Sequence, residues 1–298
     1  MSPKIVLMAG GLALWIGTGA AWGEKVALVL SRSADPYVAA ARGFQHTTPS
    51  EVEVFNMEGD TEKGQQIMRG VAPATVLAVV TIGTEASQAT RALDPSIPIV
   101  YTMVLDPLEL PQHRSTGVVI KIGIEAQFAR MQKLFPTKKR IGVIYNPKYS
   151  SLDIEQARKL APQYELALTP LAVERPEEVP TALPKLVRGV VDLIWMVPDR
   201  TVAQPAAVQD LIDHALQEGL PLIGLSMYHV KIGALAAFSV DFNDVGIQTA
   251  KLAQRFLSEG GRLPVEMPRK IIIYVNPKVQ KQIGIEDLSV FPEVNYIQ

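Results

Sequence analysis

Asp199 is the residue of this chain best placed by sequence to do chemistry. In WMVPDRTV, from Trp195, it follows an apolar run and precedes a helical segment. There its carboxylate can accept hydrogen bonds from a ligand ammonium in a poorly solvated cleft, or cap the helix expected to start near Thr201. Ser31, Ser33 and Thr84, with the amides beside Gly83, can receive a carboxylate at helix N-termini, and they are equally ordinary caps. Tyr145 and Asn146 can stack on or bond to a ligand, while Asn146 before Pro147 is also a turn former; Asp106 before Pro107 carries the same two readings. Ser226 stands at another strand end, and Met227 with Tyr228 can wall an apolar pocket or belong to a core. Asp241 and Asn243 read as turn and cap residues.

Other chemistries lack their residues. The four histidines (His46, His113, His214, His229) are scattered without metal-ligand spacing, and the chain has no cysteine, so thiolate metal sites, disulfides and a catalytic thiol are excluded. GLSMY from Gly224 has Tyr228 where a nucleophile elbow needs its second glycine. There is no P-loop and no G-x-G-x-x-G after the first strand, so a nucleotide has no phosphate cradle. No cofactor, no metal and no catalytic constellation is expected. A formal net charge of −1 supplies no field for nucleic acid or anionic lipid.

The elements that would position these residues alternate. One phrase occurs twice: residues 76–103 and 192–227 each read as an apolar run, a short polar loop (Gly83-Thr84-Glu85; Pro198-Asp199-Arg200), a helical segment, a proline and a second apolar run. Each is a buried parallel strand, a crossover helix and the next strand, with the polar loop at the strand's C-terminal edge. Around them, 25–31, 51–56, 116–121, 140–145, 234–240 and 270–275 read as strands, and 36–45, 60–70, 125–134 and 245–257 as helices. This alternation implies doubly wound parallel sheets, whose ligands gather outside the carboxyl ends of the strands. At 298 residues and 48% hydrophobic content, the chain is long enough for two lobes whose loops face one cleft.

The N-terminus bears on compartment. Lys4, the apolar stretch 5–17 and the small residues Ala20-Ala21-Trp22-Gly23 together read as a signal peptide over residues 1–23, cleaved before Glu24. The apolar stretch is short for a spanning helix, which needs about 20 residues. A product outside the cytoplasm, periplasmic or otherwise, is therefore expected.

Taken in order, IGTEA at Ile82, PIVYTMVLDP at Pro98, GVIYNP at Gly142, WMVPDRTV at Trp195, PLIGLSM at Pro221, GALAAFSVDFNDVGIQTA at Gly233 and VNPKVQKQIGI at Val275 resemble the extracytoplasmic substrate-binding component of ABC transporters. Within that group the chain is similar to the type I periplasmic binding protein family that includes aromatic amino-acid receptors. The resemblance implies an α/β fold of two Rossmann-like lobes with parallel sheets, joined by a three-crossing hinge near 116–119, 238–242 and 267–270. It makes lobe 1 residues 24–117 plus 242–267 and lobe 2 residues 118–241 plus 268–298. It also implies a small-molecule ligand, amino acid or related metabolite, docking on ABC permease membrane subunits, and a monomer. A periplasmic clamp that signals to a membrane receptor or kinase has the same sequence features, and an enzyme is the remaining class.

Overall fold

The computed structural model describes residues 25–105, 107 and 114–297. The expected signal segment, Asp106 and His113 lie outside the described residues.

The first lobe is built by direct alternation: β1 (Lys25–Leu30), α1 (Asp35–Thr47), β2 (Glu51–Asn56), α2 (Thr61–Gly70), β3 (Ala78–Ile82), α3 (Thr84–Ala89), β4 (Ile99–Val104) and β5 (Ser115–Val119). Its five strands lie in the order β2-β1-β3-β4-β5, every pair parallel. β3 and β4 are buried along their whole length, as strands covered on both faces must be. A register shift falls between Thr102 and Val104, where buried Met103 takes φ +60°. Such a bulge re-aims the chain, here at the strand end that leads to Leu105.

The second lobe follows with α4 (Ile124–Leu134), β6 (Arg140–Tyr145), α5 (Pro147–Leu160), β7 (Ala167–Ala172), α6 (Val179–Ala182), β8 (Leu193–Trp195), α7 (Pro205–Glu218), β9 (Leu222–Gly224), α8 (Met227–Lys231) and β10 (Ala236–Val240). α9 (Phe242–Glu259) then goes back to pack on the first sheet, and β11 (Ile271–Val275), α10 (Pro277–Gln282) and β12 (Val294–Tyr296) complete the second. That sheet runs β12-β11-β10-β9-β8-β6-β7.

One pair departs from the expected parallel arrangement: β10 and β11 are antiparallel, with Val240 opposite Ile271. The reason is the hinge. β10 ends at the cleft, the chain detours through α9, and it re-enters the second lobe from the cleft, so the next strand runs the other way.

The chain thus passes between the sheets after β5, after β10 and before β11. The segment returning from α9 runs along the free edge of β5, where the Val119 amide donates to the Glu266 carbonyl (3.0 Å) and the Glu266 amide to Gly117 (2.9 Å). α9 lies against α1 at a crossing that two glycines allow. A Cβ at Gly43 would collide with the Asn243 carbonyl, and one at Gly246 with the Ala40 carbonyl. Small residues let two helix backbones approach this closely, which locks a helix late in sequence onto the first.

Each sheet has apolar side chains on both faces. Leu28, Phe44, Val80, Val100 and Val245 fill one side of the first sheet, and Val29, Met57, Met68 and Val79 the other. In the second, Phe128, Met131, Ile141 and Trp195 form one layer and Ile144, Leu186, Ile194 and Leu211 the opposite one.

Candidate functional site

The residues expected at the lobe 1 rim are drawn together. Ser31, fully buried after β1, accepts at Oγ the amide of Ala86 in the first turn of α3 (3.0 Å). Gly83 precedes that helix with φ +99°, and a Cβ there would meet Ser31 Oγ at 2.5 Å. Ser33 is exposed and its Oγ accepts from Asn56 Nδ2 (2.7 Å). Thr84 is half-buried at the helix start. Arg32 and Glu85 form an ion pair beside them. Tyr37 stands against Gly83, and burial followed by the Glu85 charge pushes its phenol up from the ordinary value.

The lobe 2 rim is joined more extensively through Asp199, for which the sequence left ligand contact and capping both open. Its side chain is 1% exposed, and its two oxygens accept four protein donors. Oδ2 takes the Asn146 amide (2.8 Å) and the Ser150 hydroxyl (2.7 Å), while Oδ1 takes the amides of Thr201 (2.9 Å) and Val202 (3.2 Å). A carboxylate has about four lone-pair directions. In this structure all four are taken by protein donors. Asn146 is used up similarly: Nδ2 donates to the Glu174 carbonyl (2.8 Å) and Thr201 Oγ1 (2.9 Å), and Oδ1 caps α5 through the Lys148 amide (2.9 Å). Asp199 also does not start the helix expected near Thr201. It caps a turn over 200–203, and α7 begins at Pro205 because the residue before a proline is driven to extended backbone, as Gln204 is (ψ 141°). Tyr145 packs partly buried against the core beneath.

A mostly apolar cavity lies elsewhere, where the crossings meet the strand ends. It holds about 310 Å³ and is lined from the first lobe by Leu105, from the first crossing by Ile120, Lys121 and Ile122, and from the second by Phe238, Ser239, Val240 and Phe242. The second lobe adds Ile124, Gln127, Asp153, Trp195, Val197, Pro198, Gly224, Leu225 and Ser226. Of the expected site residues that are described, Ser226 alone lines it. Met227 is exposed beside Tyr228 at the start of α8. The Ser226 hydroxyl lies 3.0 Å from His229 Nδ1, and burial pushes that imidazole below its ordinary value.

The cavity wall is mainly apolar and held in place. Trp195 stacks edge-to-face on Phe128 (centroids 5.4 Å, 63°) and donates its indole N–H to Gln127 Oε1 (2.9 Å), whose own amide donates to the Ile122 carbonyl (2.9 Å). Lys121 Nζ pairs with Asp153 Oδ1 at 2.6 Å on the same wall. Sequence reading missed Lys121, Asp153, Trp195 and the phenylalanines. One signal was available: Phe238 and Phe242 bound an expected crossing, and aromatics at a hinge facing the cleft are candidates for ligand contact. Among the described residues no group of three or more His, Cys, Asp or Glu side chains gathers as a metal site would need, and no helix is long and apolar enough to cross a membrane.

The second and third crossings are tied together beside the cavity. The Asp241 amide donates to the Lys270 carbonyl (3.2 Å), and its Oδ2 pairs with Lys270 Nζ (2.6 Å). Burial pushes the Asp241 carboxyl up, but the Lys270 bond and the Asp244 amide together hold it below the ordinary value.

Comparison with known proteins places this architecture. A tyrosine-binding protein of Clostridioides difficile (strain R20291) is 24% identical over 270 residues, covering 86% of this chain and 77% of that protein. Among solved structures, the ligand-free, open form of a substrate binding protein with adhesive properties from Clostridium difficile superposes with a TM-score of 0.76 at 20% identity, covering 92% of this chain and 99% of the other. A Streptococcus pneumonia ABC domain in complex with L-Trp gives 0.57 at 22% identity, covering 92% and 100%. The model of the ABC transporter substrate binding protein family matches residues 39–291, most of the chain. With two lobes, a three-crossing hinge and a cavity between them, this chain belongs to the ABC transporter substrate binding protein family.

Proposed function

We propose that this protein works outside the cytoplasm as a solute-binding clamp, closing on a small amphipathic ligand and handing it to an ABC permease. The observation that carries this reading is the 310 Å³ cavity lined by the hinge and by strand ends of both lobes. Its size falls within the range of about 300–1,000 Å³ found for small-molecule sites, and a mostly apolar wall with a few polar groups is their usual chemistry. A relative named a tyrosine-binding protein and a similar fold in complex with L-Trp support an aromatic or similarly apolar metabolite as ligand. Export by the segment 1–23, action as a monomer and docking on permease subunits belong to the same reading.

The lobes move as bodies divided close to 24–117 plus 242–267 and 118–241 plus 268–298, hinging on the crossings. Closure brings the rim carrying Ser33, Gly83 and Thr84 toward the rim carrying Ser226 and Met227, over the cavity. Asp199, Asn146 and Ser31 hold those rims in shape.

The test is a thermal-shift and titration screen of amino acids, small peptides, purines and organic anions. A ligand at a hundredfold excess over its dissociation constant adds about 2.7 kcal/mol to stability and raises Tm. Trp195 is the only tryptophan after residue 22, so its fluorescence should change with the same ligand. A melt and a fluorescence spectrum unmoved by every compound, or turnover of one of them, would sink the reading.

A further inference from the structure

Among the described residues the cavity is lined by a single pair of charges. Of those lining residues only Lys121 and Asp153 are ionic, and they face each other at 2.6 Å. Lys121 sits on the first crossing and Asp153 in the second turn of α5, so the pair joins the hinge to the second lobe. Both side chains keep some exposure, 38% and 24%. Among the described residues neither side chain makes a second hydrogen bond, unlike that of Asp199, whose carboxylate accepts four. Around the pair stand Leu105, Ile120, Ile122, Trp195, Phe238 and Phe242. The indole N–H of Trp195 is already given to Gln127, so that wall offers a ring face and no donor.

We propose that Lys121 and Asp153 form the charge filter of the cleft, admitting a ligand that carries an ammonium and a carboxylate close together beside an apolar body. The proposal rests on the cavity being the ligand site. A ligand carboxylate alone must draw Lys121 from Asp153 and leave that carboxylate uncompensated against an apolar wall. A ligand ammonium alone strands Lys121 in the same way. A zwitterion opens one ion pair and makes two, so every charge in the closed cleft keeps a partner. Selection thus comes from the penalty on the wrong ligands as much as from attraction to the right one.

Three matched probes test this by titration: L-tryptophan, 3-indolepropionate, which lacks the ammonium, and tryptamine, which lacks the carboxylate. The wild-type protein should prefer tryptophan over both by about tenfold or more. Asp153→Asn should move the preference to 3-indolepropionate, and Lys121→Gln to tryptamine. Both sites are partly exposed and make one bond each, so a cooperative melt near that of the wild type should accompany the switch. Equal affinity for the three probes, or an order unchanged in both variants, overturns the filter and leaves the binding function standing. Failure of all three to bind folded wild-type protein overturns both.

Discussion

The two rims solve one problem in opposite directions. In each lobe the loop after the first strand must be fastened to the loop after the third. In lobe 1 the fastening comes from the first strand: Ser31 reaches across to the amide of Ala86, and Gly83 gives way to it. In lobe 2 it comes from the third: Asp199 reaches back to Asn146 and Ser150 and also holds its own turn at Thr201 and Val202. One buried neutral bond, beside the solvent-exposed Arg32–Glu85 ion pair, does the work on one side, and a buried carboxylate with four donors on the other. Charge-assisted bonds are roughly twice as strong as neutral ones, so lobe 2 should be the more rigid rim and lobe 1 the more adaptable. The cavity agrees with this asymmetry: the second lobe supplies nine of its lining residues, the first lobe Leu105.

The comparison can be broken most decisively at Asp199. Asp199→Ala leaves four buried donors unpaired and should lower unfolding free energy by about 3 kcal/mol in urea denaturation. Unchanged stability together with lost ligand affinity would show instead that the carboxylate serves a ligand. Next in size is Gly83→Ala, which forces a Cβ into a positive-φ site against Ser31 and should cost about 2 kcal/mol by the same measurement. Ser31→Ala removes one acceptor and should cost about 1 kcal/mol; a loss equal to that of Asp199→Ala would mean the two fastenings are equivalent.

The smallest effect concerns the opposite ends of the same strands. Leu77 and Asp192 hold equivalent places, each donating its amide to the carbonyl of the first residue of its lobe's first strand, Lys25 (2.8 Å) or Arg140 (2.7 Å). Lys25 makes only an exposed pair with Glu51 (3.0 Å). Arg140 grips Asp192 through two nitrogens, Nε to Oδ2 (3.1 Å) and Nη2 to Oδ1 (2.7 Å). This guanidinium, with the backbone amides of Arg140 and Lys139, lowers the Asp192 carboxyl to about 2. A carboxyl depressed in the folded state stabilises above its unfolded value near 4 and loses that contribution as pH falls toward 2. After solvent screening the loss should be about 1 kcal/mol. Urea midpoints at pH 5 and 2.5 should therefore converge partly in Arg140→Gln, while Lys25→Gln leaves the acid dependence as it was.

Much of this fold was legible from the chain. The alternation of apolar runs and helical segments located β1, β2, β6 and β11 to within a residue or two: β1 and β6 as near-continuous apolar runs, β2 as a β-branched and aromatic edge strand with alternating carboxylates, and β11 as an isoleucine-rich run. The repeated phrase identified the paired rims, and Asp199 was recognisable as a cap because its own turn lies two and three residues ahead. The reversal at β11 was not legible, since it follows from where the chain re-enters the second lobe. Nor was the cavity, apart from Ser226.

Sequence by itself determined the element types, the two lobes and the local caps, which depend on neighbours within a few residues. Tertiary structure decided which polar groups are consumed by the protein and which remain available. Asp199 meets Asn146 only because β6 and β8 are adjacent, although 53 residues separate them in sequence. Lys121 meets Asp153 only because a hinge crossing passes beside α5. A side chain's free valence depends on every donor and acceptor within about 3 Å, and that neighbourhood is set by packing.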